Sequence, residues 1–449
     1  MKGNSTINMT QGNPTGLLLR FAIPMLIGNI FQQLYSLADS VIVGQFLGAD
    51  ALAAIGATGA VTFLFFSVCN GISAGCGVVT SQYFGAGDPH YTKRAIANAA
   101  YIMFAASLVM GVISFLAAPA VLTLMGTPAE VLENATLYMR MSCIGVPLVA
   151  VYNYASSMLR ALGDSKTPLY FLIFSCILNI VLDIFCVYNL QLGIFGAALA
   201  TIIAQMVSGV GCLLYALRTN PYFKLTKEDM QPDWKVISKA VRLGLPMAMQ
   251  WSLISVSTTI QQAFVNSFGT VAMAAFTTTS RIEGLVHLPY GSISAALATY
   301  AGQNYGAGNL KRVRESLKYG LGLAGIFTAV VMVVYLTLAE GIIGLFVKEE
   351  AVIALGSAAL RLTSWFYIFL AVIYMCRGIL NGVGDALFAL INGVVEVVAR
   401  VGSLVLLTGI PAVGMWSIWW TTGITWFLSA LCCLWRYLSW RKKTIHIQS

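Results

Sequence analysis

Apolar runs of about 20 residues, interrupted only by isolated polar, Gly or Pro positions, recur along nearly the whole chain. A helix needs about 20 such residues to cross the hydrocarbon core of a bilayer. Twelve spans are predicted on this basis, at roughly 17–43, 52–80, 94–118, 133–159, 168–188, 193–217, 238–266, 272–300, 315–340, 351–376, 387–408 and 413–436. Pro24, Pro119, Pro147, Pro246 and Pro289 fall in or beside these runs. Such breaks are tolerated where surrounding protein satisfies the freed backbone groups. Gly71, Ala74, Gly75 and Gly77 form a stripe of small residues that lets neighbouring helices approach closely.

The pattern repeats. Arg20-x-x-x-Pro24-Met25 returns as Arg242-x-x-x-Pro246-Met247, and, with one residue deleted, Gly48 and Ala51 match Gly269 and Ala272. QYFGAG at Gln82–Gly87 returns as QNYGAG at Gln303–Gly308, each after the second span of its half. RALGD ending at Asp164 returns as NGVGD ending at Asp385, each after the fourth span. Six spans per half is an even number, so both halves insert the same way round, as parallel repeats about an axis along the membrane normal. The expected architecture is an all-α integral membrane protein with twelve transmembrane helices in two pseudo-twofold-related six-helix lobes. The lobes are predicted at 1–218 and 240–449, joined by a polar cytoplasmic linker at 219–239.

Composition agrees: 58% of the 449 residues are hydrophobic and 10% are charged, against about 25% charged in soluble domains. Met1–Gly16 is polar and does not resemble a cleavable signal. The net charge of +9 is not a nucleic-acid footprint, because Lys and Arg sit in alternate loops. Twenty-one basic residues, Arg377 among them, are placed on one side and Lys348 alone on the other. That asymmetry puts both termini in the cytoplasm of a multi-pass inner (plasma) membrane protein. The nine Cys residues lie almost wholly within apolar runs without metal-ligand spacing, and read as small apolar side chains.

The paired QYFGAG/QNYGAG loops, LADSVIVGQFLG, RALGDSKTP and LGIFGAALAT resemble the multidrug and toxic compound extrusion (MATE) family over essentially the whole chain. The resemblance implies a twelve-helix efflux transporter that expels small organic cations against entry of Na+ or H+, with no other cofactor and as a monomer.

Buried acids carry the functional reading. Asp39 lies deep in the first span, where a carboxylate costs roughly 2.5–3.5 kcal/mol on insertion scales and is a functional-site hypothesis by default. Asn179 and Asp183 share one face of the fifth span at i, i+4 spacing. Counted along their helices, these residues and Thr201 of the sixth span all fall in the outer half of the bilayer, so they could meet in one cavity of the first lobe. An oxygen-rich cluster with two acids suits a hard cation, and suits a proton equally well. The same four positions are similar to the Asp/Asn/Asp/Thr group of the family's DinF-like branch, which implies a coupling site at Asp39, Asn179, Asp183 and Thr201.

In the second half Gln261, Arg400 and Leu404 stand at the places of Asp39, Asn179 and Asp183. Glu396 and Arg400 are spaced for an intrahelical ion pair. Glu283 is open to contact with drug or proton, or to an inter-helix pair. His287 follows it at i+4 and titrates near neutral pH when unperturbed, although a single His on an apolar helix is commonly a packing residue. Tyr35, Phe63, Phe66, Tyr152 and Trp251 are candidates, with Gln261, to line a cavity for flat cations. Pro24 and Gly28 mark a candidate hinge in the first span. QYFGAG lacks the spacing and the Lys-Ser/Thr of a phosphate loop.

Rival readings are weaker. A lipid-linked oligosaccharide or polysaccharide flippase of the same superfamily would call for basic residues around a pyrophosphate, and only Arg281, Arg361 and Arg400 are candidates. A major-facilitator transporter would carry a basic Gly-Asp-Arg-type loop that this chain lacks. An enzyme would need a nucleophile–base or metal constellation, which does not occur here. The six-plus-six repeat argues against a channel.

Overall fold

The computed structural model describes residues 6–124 and 127–446. The side chains at positions 49, 60, 61, 63–66 and 386 are not described, so the expected contributions of Phe63 and Phe66 lie outside the described residues. Thirteen α-helices and no strand occur among the described residues. They are α1 (Pro14–Leu47), α2 (Ala49–Gly85), α3 (Pro89–Leu124), α4 (Ala129–Ala161), α5 (Lys166–Asp183), α6 (Gly193–Thr219), α7 (Trp234–Ser267), α8 (Thr270–Gly306), α9 (Leu310–Gly344), α10 (Glu350–Ser364), α11 (Tyr367–Val383), α12 (Ala386–Thr408) and α13 (Ser417–His446). A π-helical turn, Ile184–Asn189, continues α5.

Eight of these helices are each long and apolar enough to cross a membrane, and α10 with α11 forms a ninth span. α2, α7 and α8 are as long, at 37, 34 and 37 residues; α2 is as apolar as the rest, while α7 and α8 carry more polar positions, such as Gln250, Gln261 and Gln262 in α7 and the run Thr277–Ser280 in α8. Each of the twelve expected spans thus corresponds to a helix, or in one case to a helix pair.

That pair is a departure from the expected continuous tenth span. α10 and α11 meet at 52°. At the bend Ser364 Oγ bonds back to Arg361 O (2.7 Å) and Thr363 Oγ1 to Leu360 O (3.4 Å), back-bonding of a kind that accompanies helix bends. Phe366, at the break, seats its ring where Gly423 of α13 leaves room, 2.7 Å from where a Cβ would stand. The span consequently runs on to Val383, which carries Arg377 into a buried helical position rather than the loop expected for it.

The repeated motifs repeat in geometry. Gly87 and Gly308, in QYFGAG and QNYGAG, have φ of 70° and 73°. Gly163 and Gly384, in RALGD and NGVGD, both have φ of 86°. These left-handed turns favour Gly, which has no Cβ to strain. At Gly163 a Cβ would also collide with the carbonyl of Ile7 in the N-terminal segment.

The chain divides into two compact units: Met1–Gln11 with Ile23–Ala248, and Gly12–Ala22 with Met249–Ser449. The division does not fall at the polar linker. The start of α7 belongs to the first unit and the start of α1 to the second. Small residues explain the first assignment: Gly75 of α2 meets Gly244 of α7 so closely that a Cβ would lie 2.5 Å from its backbone nitrogen, and Gly71 meets the Ala248 backbone in the same way. In the second unit, Arg312 Nη2 donates to Gly12 O at 3.0 Å.

Replacing Gly71 with Val forces a branched side chain into the Ala248 backbone. Overpacking of this kind costs about 1–3 kcal/mol, so thermal unfolding should shift down by several degrees or the monodisperse chromatographic peak should be lost. Gly322→Ala, where a Cβ meets nothing within 4 Å, should leave both unchanged. Equal behaviour of the two variants would disprove the close crossing.

Candidate functional site

In the first unit, α1 carries Tyr35 and Asp39 on one face, α5 carries Asn179 and Asp183, and α6 supplies Thr201. Asp39, Asn179 and Asp183 are 9%, 1% and 0% exposed. Tyr35 OH donates to Thr201 Oγ1 at 3.2 Å, and Asn179 Nδ2 donates to the same oxygen at 3.3 Å. Asp39 and Asp183 adjoin one another, Asn179 adjoins Asp183, and Tyr138 of α4 is near enough to feel the charge of both acids. The π-helical turn begins at Ile184, immediately after Asp183. A π turn inside an α-helix is uncommon and frequently accompanies a functional site. The structure therefore brings together all four residues expected to meet in the first lobe.

The cluster is short of donors. Its phenol and amide N–H groups both end on Thr201, while Asp39 Oδ1, Asn179 Oδ1 and both Asp183 oxygens are buried without a hydrogen-bond partner. No Lys or Arg pairs with either acid among the described residues. Buried polar atoms left unmatched cost about 1–3 kcal/mol each, and more when charged. A proton shared between the carboxylates, or a small cation among the four oxygens, supplies what is missing. The donor set, two carboxylates with an amide oxygen, fits Na+ and H+ alike.

The second unit places equivalent positions of the repeat together and fills them differently. Gln261, at the place of Asp39, accepts from Arg400 Nη1 at 2.6 Å, and Arg400 stands at the place of Asn179. Gln261 Nε2 donates to Ile418 O and Thr422 Oγ1, both at 3.0 Å, and Arg400 Nε donates to Ser257 Oγ at 3.1 Å. Here the guanidinium is a built-in cation, and both ends of the Gln261 amide are bonded.

The expected Glu396–Arg400 pair within one helix does not form. Glu396 Oε1 instead accepts from Arg377 Nη2 of α11 at 2.5 Å, with side chains 7% and 9% exposed. Sequence spacing saw only partners on the same helix, and Arg377 had been placed in a loop. Asn392 Oδ1 accepts from Arg377 Nη2 (2.6 Å) and Gln250 Nε2 (3.0 Å), and Asn392 Nδ2 donates to Ser429 Oγ (2.7 Å). Gln250 and Asn392, polar residues inside apolar runs, were visible in the sequence but were not singled out.

The remaining candidates scatter. Glu283 lies beside Thr363, Tyr367 and Arg400, with Oε1 buried and unmatched, while Arg281 is exposed. His287 Nδ1 bonds Tyr374 OH at 3.2 Å, and its ring packs on Tyr374 and Trp426. Tyr152 OH donates to Pro168 O at 3.0 Å within an apolar cluster that includes Leu172 and Cys176. Trp251 is 41% exposed. Pro24 and Gly28 lie inside an unbroken α1, where Gly28 packs against Leu169 and Leu172 of α5.

The chain matches the MatE family model over residues 24–185 and 246–405, one stretch in each half. It is 29% identical over 391 residues to the probable multidrug resistance protein YpnP of Bacillus subtilis (strain 168), covering 87% of either chain. It is 21% identical over 407 residues to the multidrug export protein MepA of Staphylococcus aureus (strain bovine RF122 / ET3-1), covering 89% of each. A crystal structure of a MATE protein in the bent conformation, 26% identical, superimposes with a TM-score of 0.88 over 97% of this chain and 98% of that one.

The buried Arg377–Glu396 pair gives a stability test. Glu396→Ala leaves a guanidinium buried without its carboxylate and should cost about 3–5 kcal/mol. Arg377→Met combined with Glu396→Leu should recover most of that loss in thermal unfolding of the purified protein. Additive losses in the double variant would show that the two side chains do not form a unit.

Proposed function

Because the chain belongs to the MatE family, we propose that it is a secondary active multidrug efflux transporter exporting organic cations by antiport with H+ or Na+. Relatives named for multidrug resistance and multidrug export support the cargo class. The observation that carries the coupling assignment is the donor-poor cluster of Asp39, Asn179, Asp183 and Thr201. On this reading no cofactor other than the coupling ion is needed, and the protein acts as a monomer in the plasma membrane with both termini in the cytoplasm.

In this mechanism the empty cluster carries unmatched negative charge at membrane depth. Arrival of a proton or Na+ removes that cost, so the ion favours whichever conformation shields the cluster from water. Only such a difference in affinity between two states can drive alternating access. α1 is the natural transmitter. It carries Asp39 about 22 Å, or 15 residues, from Pro24, and the chain passes from one compact unit to the other between Ala22 and Ile23, next to that proline. Neutralising Asp39 and Asp183 releases their mutual repulsion and lets α1 bend near Pro24–Gly28. A membrane potential of 100 mV is worth roughly 2.3 kcal/mol per charge, enough to hold about a fifty-fold drug gradient.

The flippase reading is not favoured. Of the three candidate arginines, Arg361 is paired with Glu340 at 2.9 Å and Arg400 with Gln261 at 2.6 Å, which leaves only the exposed Arg281, and a single guanidinium is a poor match for a pyrophosphate.

The deciding experiment is ethidium efflux from proteoliposomes under an imposed pH gradient and, separately, a Na+ gradient. Wild-type protein should respond to at least one gradient. Asp39→Asn and Asp183→Asn should fall to the background of empty vesicles while retaining normal expression and thermal stability. Full efflux by either variant would remove that acid from the coupling step.

A further inference from the structure

We propose that the groove between α3 and α4 is a binding site for an anionic phospholipid, one acyl chain lying in the groove and the phosphate held by Arg140. The groove has an entirely apolar lining, with Leu108, Val112, Phe115 and Leu116 of α3 facing Ile144 and Pro147 of α4. Leu108, Val112, Leu116 and Ile144 are 48–70% exposed, so in a membrane this face meets lipid. From Leu108 to Leu116 the α3 wall is about 12 Å long at 1.5 Å per residue, a length that accommodates much of one acyl chain.

Arg140 gives the groove a polar end. It lies one turn before Cys143 and Ile144 on α4, at the end of the groove nearer the α3–α4 connection. Its guanidinium carbon stands 5.1 Å over the Phe115 ring that lines the groove. Its Nε is buried without a hydrogen-bond partner, and Arg140 makes no ion pair among the described residues. Glu133, two turns toward the start of the same helix, is exposed and does not pair with it. The ring contact alone does not match the hydrogen-bonding demand of a guanidinium, which presents five donors.

An unpaired Arg inside a span is costly and is ordinarily paired, buried in a bundle or drawn to the interface. Arg140 is half-buried at the margin of a groove whose walls meet lipid, where the abundant anions are phospholipid headgroups. A phosphate accepts two parallel N–H bonds from one guanidinium, and the apolar trough beside it fixes the chain below. Charge and shape thus point to the same occupant. The inference needs α3 and α4 to cross a membrane, but does not depend on which ion drives transport.

The test is native mass spectrometry of the purified full-length protein titrated with dioleoylphosphatidylglycerol or dioleoylphosphatidylcholine. Wild type should retain one phosphatidylglycerol saturably, in preference to phosphatidylcholine. Arg140→Gln should weaken that binding by about tenfold, the worth of one hydrogen bond to a charged group, while Arg140→Lys keeps part of it. Val112→Trp, which fills the trough and leaves the charge in place, should abolish it. If Arg140→Gln fails to fold, the Arg140→Lys and Val112→Trp variants still decide the matter. Equal retention of both lipids by wild type, or undiminished phosphatidylglycerol binding in folded Arg140→Gln or Val112→Trp protein, would overturn the proposal. So would displacement of the bound lipid by ethidium at transport-relevant concentrations, which would make the groove a drug entry path.

Discussion

Hydrocarbon offers no hydrogen bonds, so each polar atom that the chain carries to membrane depth has to be matched from within the protein. The second unit meets much of this requirement around its buried guanidinium groups, although Glu283 keeps one oxygen unmatched. Arg377 answers Glu396, and Arg400 is held by Gln261 and Ser257. Asn392 bonds in three directions, to Arg377, Gln250 and Ser429. In the first unit the cluster of Asp39, Asn179 and Asp183 holds four buried oxygens without donors, three of them on acids. Unmatched atoms occur elsewhere singly, but here they gather in one place, and there a mobile proton or cation can answer them.

The duplication makes this difference legible as chemistry rather than as accident. Corresponding positions meet in both units: Asn179 with Thr201 in one, Arg400 with Gln261 and Gln261 with Thr422 in the other. Exchanging an acid for an amide and an amide for a guanidinium turns an acceptor-rich cluster into a closed one. A tethered cation cannot leave, so on the proposed mechanism the second cluster takes no exchanging ion. On the proposed mechanism the coupled ion has its seat in the first unit.

Much of the fold could be read from residues, because membrane crossing imposes long apolar runs and because left-handed turns select Gly at Gly87, Gly163, Gly308 and Gly384. The meeting of Asp39, Asn179, Asp183 and Thr201 was also legible, since depth along a helix follows from counting residues. What was lost required partners on other helices. Glu396 is spaced for Arg400 at i+4, and nothing local reveals Arg377, because the bent span runs on to Val383 and brings Arg377 across from another helix. The donor shortage at the acids was equally hidden: composition counts oxygens, but only coordinates show that Tyr35 and Asn179 both bond to Thr201.

The boundaries of the two compact units bear on where such a chain can be divided. Gly12–Ala22 belongs with the C-terminal unit, and α7 up to Ala248 belongs with the N-terminal one. A cut within the polar linker 219–239 would leave Gly12–Ala22 on one fragment and the rest of its unit on the other, and would part the start of α7 from its own unit in the same way. Neither fragment would carry a whole unit, so the continuous chain is what keeps each unit's pieces together.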